Sequence, residues 1–179
     1  MKSHIQSILI SESQIQERVH ELGRQISEDY KNRNLVLICV LKGAVVFLAD
    51  LIRVLSIPAR CEFIQLASYE EGTESSGCIQ EVQGLDGDFH RSDVLIVEDI
   101  VDTGQTLRVL LTQVKALKPA SVKVCSLLNK PTRRKEATAI DYVGFEVPDA
   151  FVVGYGMDYA QEYRNLPYIA ETVANTIEH

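Results

Sequence analysis

The residues best suited to chemistry occur between Val94 and Leu107, in the string VLIVEDIVDTGQTL. Three carboxylic acids, Glu98, Asp99 and Asp102, fall within five positions directly after a run of four apolar residues. Their mutual repulsion is unfavourable unless a cation, a sugar or a base offsets it. Carboxylate oxygens in this place suit hydroxyl groups or a hard cation. The pattern therefore indicates a ligand site.

A turn with the composition of a phosphate loop follows these acids. A helix is predicted to begin near Thr103, because apolar residues then recur at helical spacing, at Leu107, Leu110, Leu111, Val114 and Leu117. The backbone N–H groups and threonine hydroxyls at such a helix N-terminus suit a phosphate monoester. The alternative is an ordinary helix cap, since Asp and Thr are common N-cap residues. A cap explains Asp102 and Thr103, but it does not explain the two acids that precede them.

Two apolar runs must position these groups. Residues Val94–Val97 and Leu35–Leu41 are continuous apolar runs, the first mostly β-branched, as is typical of strands buried on both faces. Lys42 and Gly43 follow the earlier run, and a helix is predicted over Ala44–Leu55. Ligands of open parallel sheets gather at the carboxyl ends of the strands. A lysine and free amides there suit an anion such as pyrophosphate; the alternative is a solvated lysine.

The remaining elements are predicted to be scaffold. Ser11 and Gln14 form a capping-box pattern, and an amphipathic helix follows as far as about Tyr30. Further strands are predicted at residues 60–67, 79–82, 121–128 and 151–153. Residues 68–77 form a polar loop rich in Ser and Gly, for which a mobile hairpin tip is the plain interpretation.

Composition narrows the function classes. The chain has 179 residues, which fits a single domain over 1–179, with 46% hydrophobic and 24% charged residues. A net charge of −7 argues against a nucleic-acid surface, and no apolar run approaches the length of a membrane span. The cysteines form no C-x-x-C pair and are predicted to be free thiols: Cys39, Cys61, Cys78 and Cys125. A cytoplasmic enzyme is the expectation.

The string from Glu98 to Thr106 closely resembles the phosphoribosyl diphosphate (PRPP) signature of type I phosphoribosyltransferases, in which two acids precede a D-T-G-x-T phosphate loop. This resemblance implies an α/β fold. Its central, mostly parallel sheet would be flanked by helices, with a small hood formed by the N-terminal and C-terminal segments and a flexible lid hairpin at residues 68–77.

Three further strings resemble the hypoxanthine-guanine branch of that family. They are Leu41–Gly43 (LKG), Leu127–Pro131 (LLNKP) and Phe151–Ile169 (FVVGYGMDYAQEYRNLPYI). The resemblance spans about residues 5–169, whereas the last ten residues diverge and nothing is inferred from them. It implies purine salvage: magnesium-dependent transfer of the 5-phosphoribosyl group from PRPP to N9 of a 6-oxopurine, which gives IMP or GMP and pyrophosphate.

The resemblance also implies roles for particular residues at the PRPP end of the site. Glu98 and Asp99 would hold the ribose hydroxyls directly or through Mg²⁺. The 5′-phosphate loop would comprise Asp102, Thr103, Gly104, Gln105 and Thr106. Pyrophosphate would be bound by Leu41, Lys42, Gly43 and Arg164, and the Leu41–Lys42 peptide bond is expected to be cis.

A second set of roles concerns the base and the lid. Asp102 would act as general base, and Lys130 would donate to the purine 6-oxo group. Phe151 would stack on the base and Val152 would offer backbone groups to its edge. Asp158 would lie by the purine and beside a magnesium site, which makes Glu98, Asp99 and Asp158 the expected metal residues. Ser68 and Tyr69 would be lid contacts.

Two alternatives remain at this point. One is a related enzyme for another base; the Lys130 and Phe151 strings argue against adenine and pyrimidines, but only weakly against xanthine. The other is a nucleotide-sensing regulator that binds RNA, which should show a basic face. The only short basic cluster, Arg133–Lys135, is interpreted as solvated. The expected partners are therefore PRPP and a 6-oxopurine, with no nucleic acid or membrane, in a homodimer or homotetramer. The sequence does not rank hypoxanthine against guanine.

Overall fold

Two β-sheets and three α-helices make up the part of the chain that the computed structural model describes, residues 5–68, 79–83, 85, 87–136 and 138–172. In chain order the elements are β1 (Ile5–Ile10), α1 (Glu12–Asp29), β2 (Leu35–Leu41), α2 (Val45–Val54), β3 (Ala59–Ser68), β4 (Ile79–Gln83), β5 (Asp93–Val101), α3 (Gln105–Ala116), β6 (Ser121–Asn129), a 3-10 helix (Pro131–Arg133), β7 (Tyr142–Glu146), β8 (Val152–Val153) and β9 (Ile169–Thr172).

The larger sheet has the strand order β4-β3-β2-β5-β6-β7. All neighbouring strands are parallel except β4, which runs antiparallel to β3 at one edge. The apolar strands β2 and β5 pair with each other at the centre, as their sequences predict. The expected central, mostly parallel sheet flanked by helices is confirmed.

The core lies on both faces of this sheet. One cluster joins α1 and α2 to β2 and β5 through Leu22, Phe47, Leu37 and Leu95, among other buried residues. The second cluster packs α3 on the opposite face, where Leu110 meets the alternate residues of the same strands, such as Ile38 and Ile96. Because both faces are covered, β2 and β5 need apolar residues at every position rather than at alternate ones.

The smaller sheet is antiparallel, with the order β1-β9-β8. It joins the first described residues of the chain to the last ones, since Ile5 pairs with Thr172. The sequence patterns do not predict β1 or β9 as strands. Most side chains of β1 are at least partly exposed, so the apolar run that marks the central strands is missing here.

The predicted start of α1 is confirmed. Ser11 is the N-cap; its hydroxyl accepts from the Gln14 backbone N–H at 3.3 Å, and the Gln14 side chain accepts from the Ser11 backbone N–H at 2.9 Å. Both bonds satisfy amides that have no partner inside the helix. None of the helices in the described part of the chain combines the length and apolar character that crossing a membrane requires.

We expect Ser11→Ala to lower the free energy of unfolding by about 1 kcal/mol, because the exposed first turn of α1 loses its cap. Urea denaturation measures this difference. Ser11→Asp is the control, since aspartate caps as well as serine does and should leave the stability nearly unchanged. Equal stability of the Ala and Asp variants would show that the capping box contributes nothing.

Candidate active site

The candidate site opens where β5 loses one of its two neighbours. Pairing between β2 and β5 ends at Cys39 and Val97, whereas pairing between β5 and β6 continues to Val101 and Asn129. The acids at 98 and 99 lie in this last part of β5, so the prediction that they follow the strand is wrong by four residues. A cavity of about 260 Å³ forms there, and it is lined by Val40, Leu41, Gly43, Glu98, Asp99, Ile100, Val101, Asp102, Thr103, Gly104, Thr106 and Leu107.

The two adjacent acids are shielded from water to different degrees, since Glu98 is buried and Asp99 is half-buried. Glu98 is only 5% exposed, and its burial, together with the charge of Asp99, raises its pKa well above the usual range. Burial also raises the pKa of Asp99 to about 6, although the Ile100 backbone N–H, which donates to Asp99 Oδ1 at 2.9 Å, and the positive charge of Arg164 oppose that rise. An added cation or a hydroxyl donor would therefore be favourable here.

The predicted phosphate loop has an open helix start. Gly104 is the N-cap of α3, with φ of 83°, and it carries no side chain that could cap the helix. The Thr103 hydroxyl accepts from the Gln105 N–H at 3.4 Å, and the remaining first-turn amides can serve an anion. Thr103 lies just before it, and its carbonyl oxygen accepts from the backbone N–H groups of Lys135 and Glu136 at 3.0 and 3.2 Å. These bonds fasten the loop to the segment that follows β6. The helix begins at Gln105, close to the predicted start.

The loop after β2 lies against the acids. The Leu41–Lys42 peptide bond is cis, as the family resemblance predicts, and the Lys42 side chain is exposed. Gly43 follows, and a Cβ atom placed on it would be 1.7 Å from Asp99 Oδ2. From the other side, a Cβ atom on Gly156 would be 2.1 Å from the Gly43 carbonyl oxygen. Three distant segments thus meet at distances that only glycine permits.

Asp102 lies between two cations. Lys130, which is 5% exposed, places its Nζ 3.9 Å from Asp102 Oδ2, and Arg133 Nη1 lies 3.2 Å from the same oxygen. The other oxygen, Oδ1, is buried and has no hydrogen-bond partner among the described residues. A buried acceptor of this kind is costly, because it has lost its hydrogen bond to water. The two cations hold the carboxylate at the edge of the cavity through its other oxygen, Oδ2.

The C-terminal residues of the predicted site form three contacts. The Phe151 ring is 43% exposed and packs edge-to-face on Tyr159, with centroids 5.6 Å apart, while Val152 is buried in β8. Asp158 Oδ1 and Arg164 Nη2 form an ion pair at 2.6 Å, and Arg164 Nη1 donates to the Gly156 carbonyl oxygen at 2.7 Å. Periodicity alone does not point to Tyr159, which is missing from the sequence prediction.

The interpretation of Arg133–Lys135 as a solvated face is wrong for Arg134, and it misses the ion pair of the exposed Arg133. Arg133 bonds Asp102, as described above. Arg134 is half-buried and donates to the Asn129 side chain and, at 3.2 Å, to the Thr138 carbonyl oxygen. The segment is hydrogen-bonded to the phosphate loop through the backbone of residues 135 and 136. Its position directly after the carboxyl end of a strand in the same sheet is the sequence feature that could have predicted this contact.

The described residues contain no group of three or more His, Cys, Asp or Glu side chains able to hold a metal ion by themselves. Glu98 and Asp99 are adjacent, and Asp158 is near enough for its charge to raise the pKa of Asp99. Mg²⁺ is commonly held by one or two carboxylates together with phosphate oxygens of a ligand. The oxygen donors therefore fit Mg²⁺ if a bound phosphate completes its coordination.

Only the first residue of the predicted lid lies within the described part of the chain. It is Ser68, the last residue of β3. Tyr69 and the rest of the loop to residue 77 lie outside the described residues. The lid contacts therefore stay a prediction.

Comparison with known proteins identifies the family. The profile described as phosphoribosyl transferase domain matches residues 10–160. This chain belongs to the phosphoribosyl transferase family. The resemblance seen in the motif from Glu98 to Thr106 is thereby confirmed.

Relatives and solved structures cover almost all of the chain. It is 47% identical over 169 residues to the hypoxanthine-guanine phosphoribosyltransferase of Bacillus subtilis, which covers 94% of each protein. A crystal structure of the Bacillus anthracis enzyme of that name superimposes with a TM-score of 0.86 at 46% identity, over 94% of this chain and 99% of that one. The bifunctional protein TilS/HprT of Listeria innocua is 47% identical over 169 residues, but this chain spans only 26% of its length.

The contact between Gly43 and Asp99 yields a prediction for this family's reaction. Gly43→Ala would force the Asp99 carboxylate or the loop after β2 to move, and we expect phosphoribosyl transfer to fall about a hundredfold, the cost of misplacing a reacting group by about 1 Å. Steady-state kinetics measures this. Gly87→Ala is the control, because its Cβ would be 3.3 Å from the nearest Phe89 atom and should be tolerated. Equal activity of both variants would contradict the constraint.

Proposed function

We propose that this chain is a hypoxanthine-guanine phosphoribosyltransferase of purine salvage. It transfers the 5-phosphoribosyl group of PRPP to N9 of hypoxanthine or guanine and releases pyrophosphate, giving IMP or GMP. The observation that carries the proposal is the buried ammonium group of Lys130 beside Asp102, whose Oδ1 has no partner among the described residues. The full-length relatives named for this reaction support it.

The phosphate end of the substrate would occupy the loop between β5 and α3. The N–H groups from Thr103 to Thr106, with the two threonine hydroxyls, are proposed to hold the 5′-phosphate. Support comes from the uncapped N-terminus of α3, where the partial positive charge of the helix favours an anion. Glu98 and Asp99, next to the loop, are proposed to bind the ribose hydroxyls directly or through Mg²⁺.

The base would be activated by Asp102 and Lys130. Charge develops on the ribose as its bond to pyrophosphate breaks, while the purine must lose a proton from its imidazole edge. Asp102 is proposed to accept that proton. Lys130 is proposed to donate to the 6-oxo group and stabilise charge delocalised into the ring. Phe151 and Val152 are proposed to stack on the purine and bond its edge.

The leaving group would be held at the opposite side of the site. Backbone groups of Leu41, Lys42 and Gly43, the Lys42 ammonium group and the Arg164 guanidinium group are proposed to bind pyrophosphate. The proximity of Gly43 to Asp99 and to Gly156, just before the Asp158–Arg164 ion pair, supports this arrangement. Bound Mg²⁺ would neutralise part of the pyrophosphate charge, and Glu98, Asp99 and Asp158 are the proposed residues for holding it.

Neither alternative function is favoured. A regulator that binds RNA would need a free basic face, but Arg133 and Arg134, in the short basic cluster, are engaged with groups of the protein itself. A preference for xanthine has no specific observation in its favour, and the relatives described above are named for hypoxanthine and guanine.

We further propose a single cytoplasmic domain over residues 1–179 that assembles as a homodimer or homotetramer. Within the described ranges, Cys39, Cys61 and Cys125 are free, as is usual in a reducing compartment. Exposed apolar side chains that a second subunit could cover are present at Ile8, Ile52 and Phe63.

A panel of bases tests the proposed function. Purified protein, PRPP and Mg²⁺ would be incubated separately with hypoxanthine, guanine, xanthine, adenine, uracil and orotate, and both nucleotide and pyrophosphate would be measured. We expect products from hypoxanthine and guanine only. Turnover of xanthine alone would favour the related enzyme, whereas binding of PRPP without turnover of any base would favour a sensor.

Lys130→Ala tests how the base is selected. The ammonium group meets an acceptor on a 6-oxopurine but a donor on adenine, and a site built on such a bond can discriminate by about 10⁴-fold. We expect the variant to lose most of its preference over adenine, in kcat/KM, with a smaller effect on the KM for PRPP. Lys31→Ala, at an exposed position before β2, should change neither quantity. An equal loss of kcat/KM for hypoxanthine and for adenine would refute the role of Lys130.

A further inference from the structure

We propose that Arg133 is a positioning residue that holds the general base Asp102 in its reactive orientation and ties it to the segment carrying the stacking ring. This inference deepens the proposed function and rests on it. Neither the family resemblance nor the residue pattern assigns Arg133 a role; its contacts do.

The guanidinium group of Arg133 makes two ion pairs in different directions. Its Nη1 lies 3.2 Å from Asp102 Oδ2, and its Nε lies 3.5 Å from Asp149 Oδ1. A planar, branched cation can hold two carboxylates at fixed separation, which a lysine ammonium group cannot do with the same geometry. Asp149 precedes Phe151 by two residues, so one side chain links the proposed base to the proposed stacking residue.

The backbone of Arg133 is also fixed. It ends the 3-10 helix Pro131–Arg133, and its N–H donates to the Lys130 carbonyl oxygen at 3.3 Å. That helix begins directly after the lysine proposed to recognise the 6-oxo group. The positions of Lys130, Asp102 and Asp149 are therefore coupled through one short helical turn and one guanidinium group.

The two oxygens of Asp102 have different surroundings. Oδ1 is buried and has no partner among the described residues, whereas Oδ2 lies 3.2 Å from Arg133 Nη1, so the arginine sets the orientation in which the carboxylate meets the purine proton. When a 6-oxopurine binds, Lys130 bonds the base, and Arg133 remains as the cation that fixes Oδ2. Preorganising a proton acceptor in this way lowers the entropy that must be lost on reaching the transition state.

A purely structural role would have another signature. Arg133 has 49% of its side chain exposed, and exposed ion pairs contribute little to stability. Its removal should therefore leave the melting temperature nearly unchanged while it reduces turnover. A loss of kcat without a matching loss of stability or of PRPP binding separates positioning from support of the fold.

The first experiment compares Arg133→Gln, Arg133→Lys and a matched control by steady-state kinetics with hypoxanthine and PRPP. We expect Arg133→Gln to lower kcat about tenfold to a hundredfold with an unchanged KM for PRPP. Arg133→Lys keeps the charge but lacks the two-pronged geometry, and should be intermediate. The control is Arg33→Gln, since Arg33 is 51% exposed and pairs with Asp93 at 3.5 Å, where β5 begins; its kcat should be that of the unmodified protein.

A double-mutant cycle tests the link to Asp149. We expect Asp149→Asn to lower kcat less than Arg133→Gln does, and the double variant to be no slower than Arg133→Gln alone, because Asp149 acts through the arginine. An unchanged kcat in Arg133→Gln, a rise in the PRPP KM alone, or additive effects of the two changes would overturn this inference only. If the unmodified chain forms no nucleotide at all, the proposed function fails and this inference fails with it.

Discussion

The burial of two adjacent carboxylates at the end of β5 is the constraint on which the rest of the site depends. Taking Glu98 and Asp99 out of water is unfavourable, as their raised pKa values show. The surrounding chain compensates only in part, through the Ile100 N–H group and the positive charge of Arg164. A ligand that brings hydroxyl groups or a cation would relieve the remaining unfavourable free energy of burying these carboxylates.

The same constraint explains why backbone rather than side chains surrounds the acids. Gly43 and Gly156 are far apart in sequence, yet each approaches its neighbour at a distance that excludes a methyl group. Close backbone packing brings the loop after β2, the end of β5 and the turn before Asp158 to one place. It also explains how Leu41 and Gly43, proposed for pyrophosphate, line one cavity of about 260 Å³ together with the acids Glu98 and Asp99.

The sequence predicted the central sheet well, because strands buried on both faces leave a continuous apolar run, as in Leu35–Leu41. It placed the end of β5 too early, because acids interrupt that run although hydrogen bonding to β6 continues. The rule that ligands collect at strand ends marked Lys42 and Lys130 as candidates, but the family resemblance was needed to prefer ligand binding over a solvated lysine at Lys42. Arg133 and Arg134 were misjudged because a run of charges does not reveal which carboxylates lie opposite. Phe151 required the family resemblance, since its exposed ring has no periodic signal.

The two hydrogen bonds from residues 135 and 136 to the Thr103 carbonyl oxygen restrict how this protein can vary among relatives. They fix the number of residues between Lys130 and Lys135, because one residue added or deleted there would shift the register of both bonds. Substitutions in this segment are therefore far easier to accommodate than changes of its length. Among related sequences, residues 130–135 should therefore differ by substitution, and insertions or deletions should fall outside this segment.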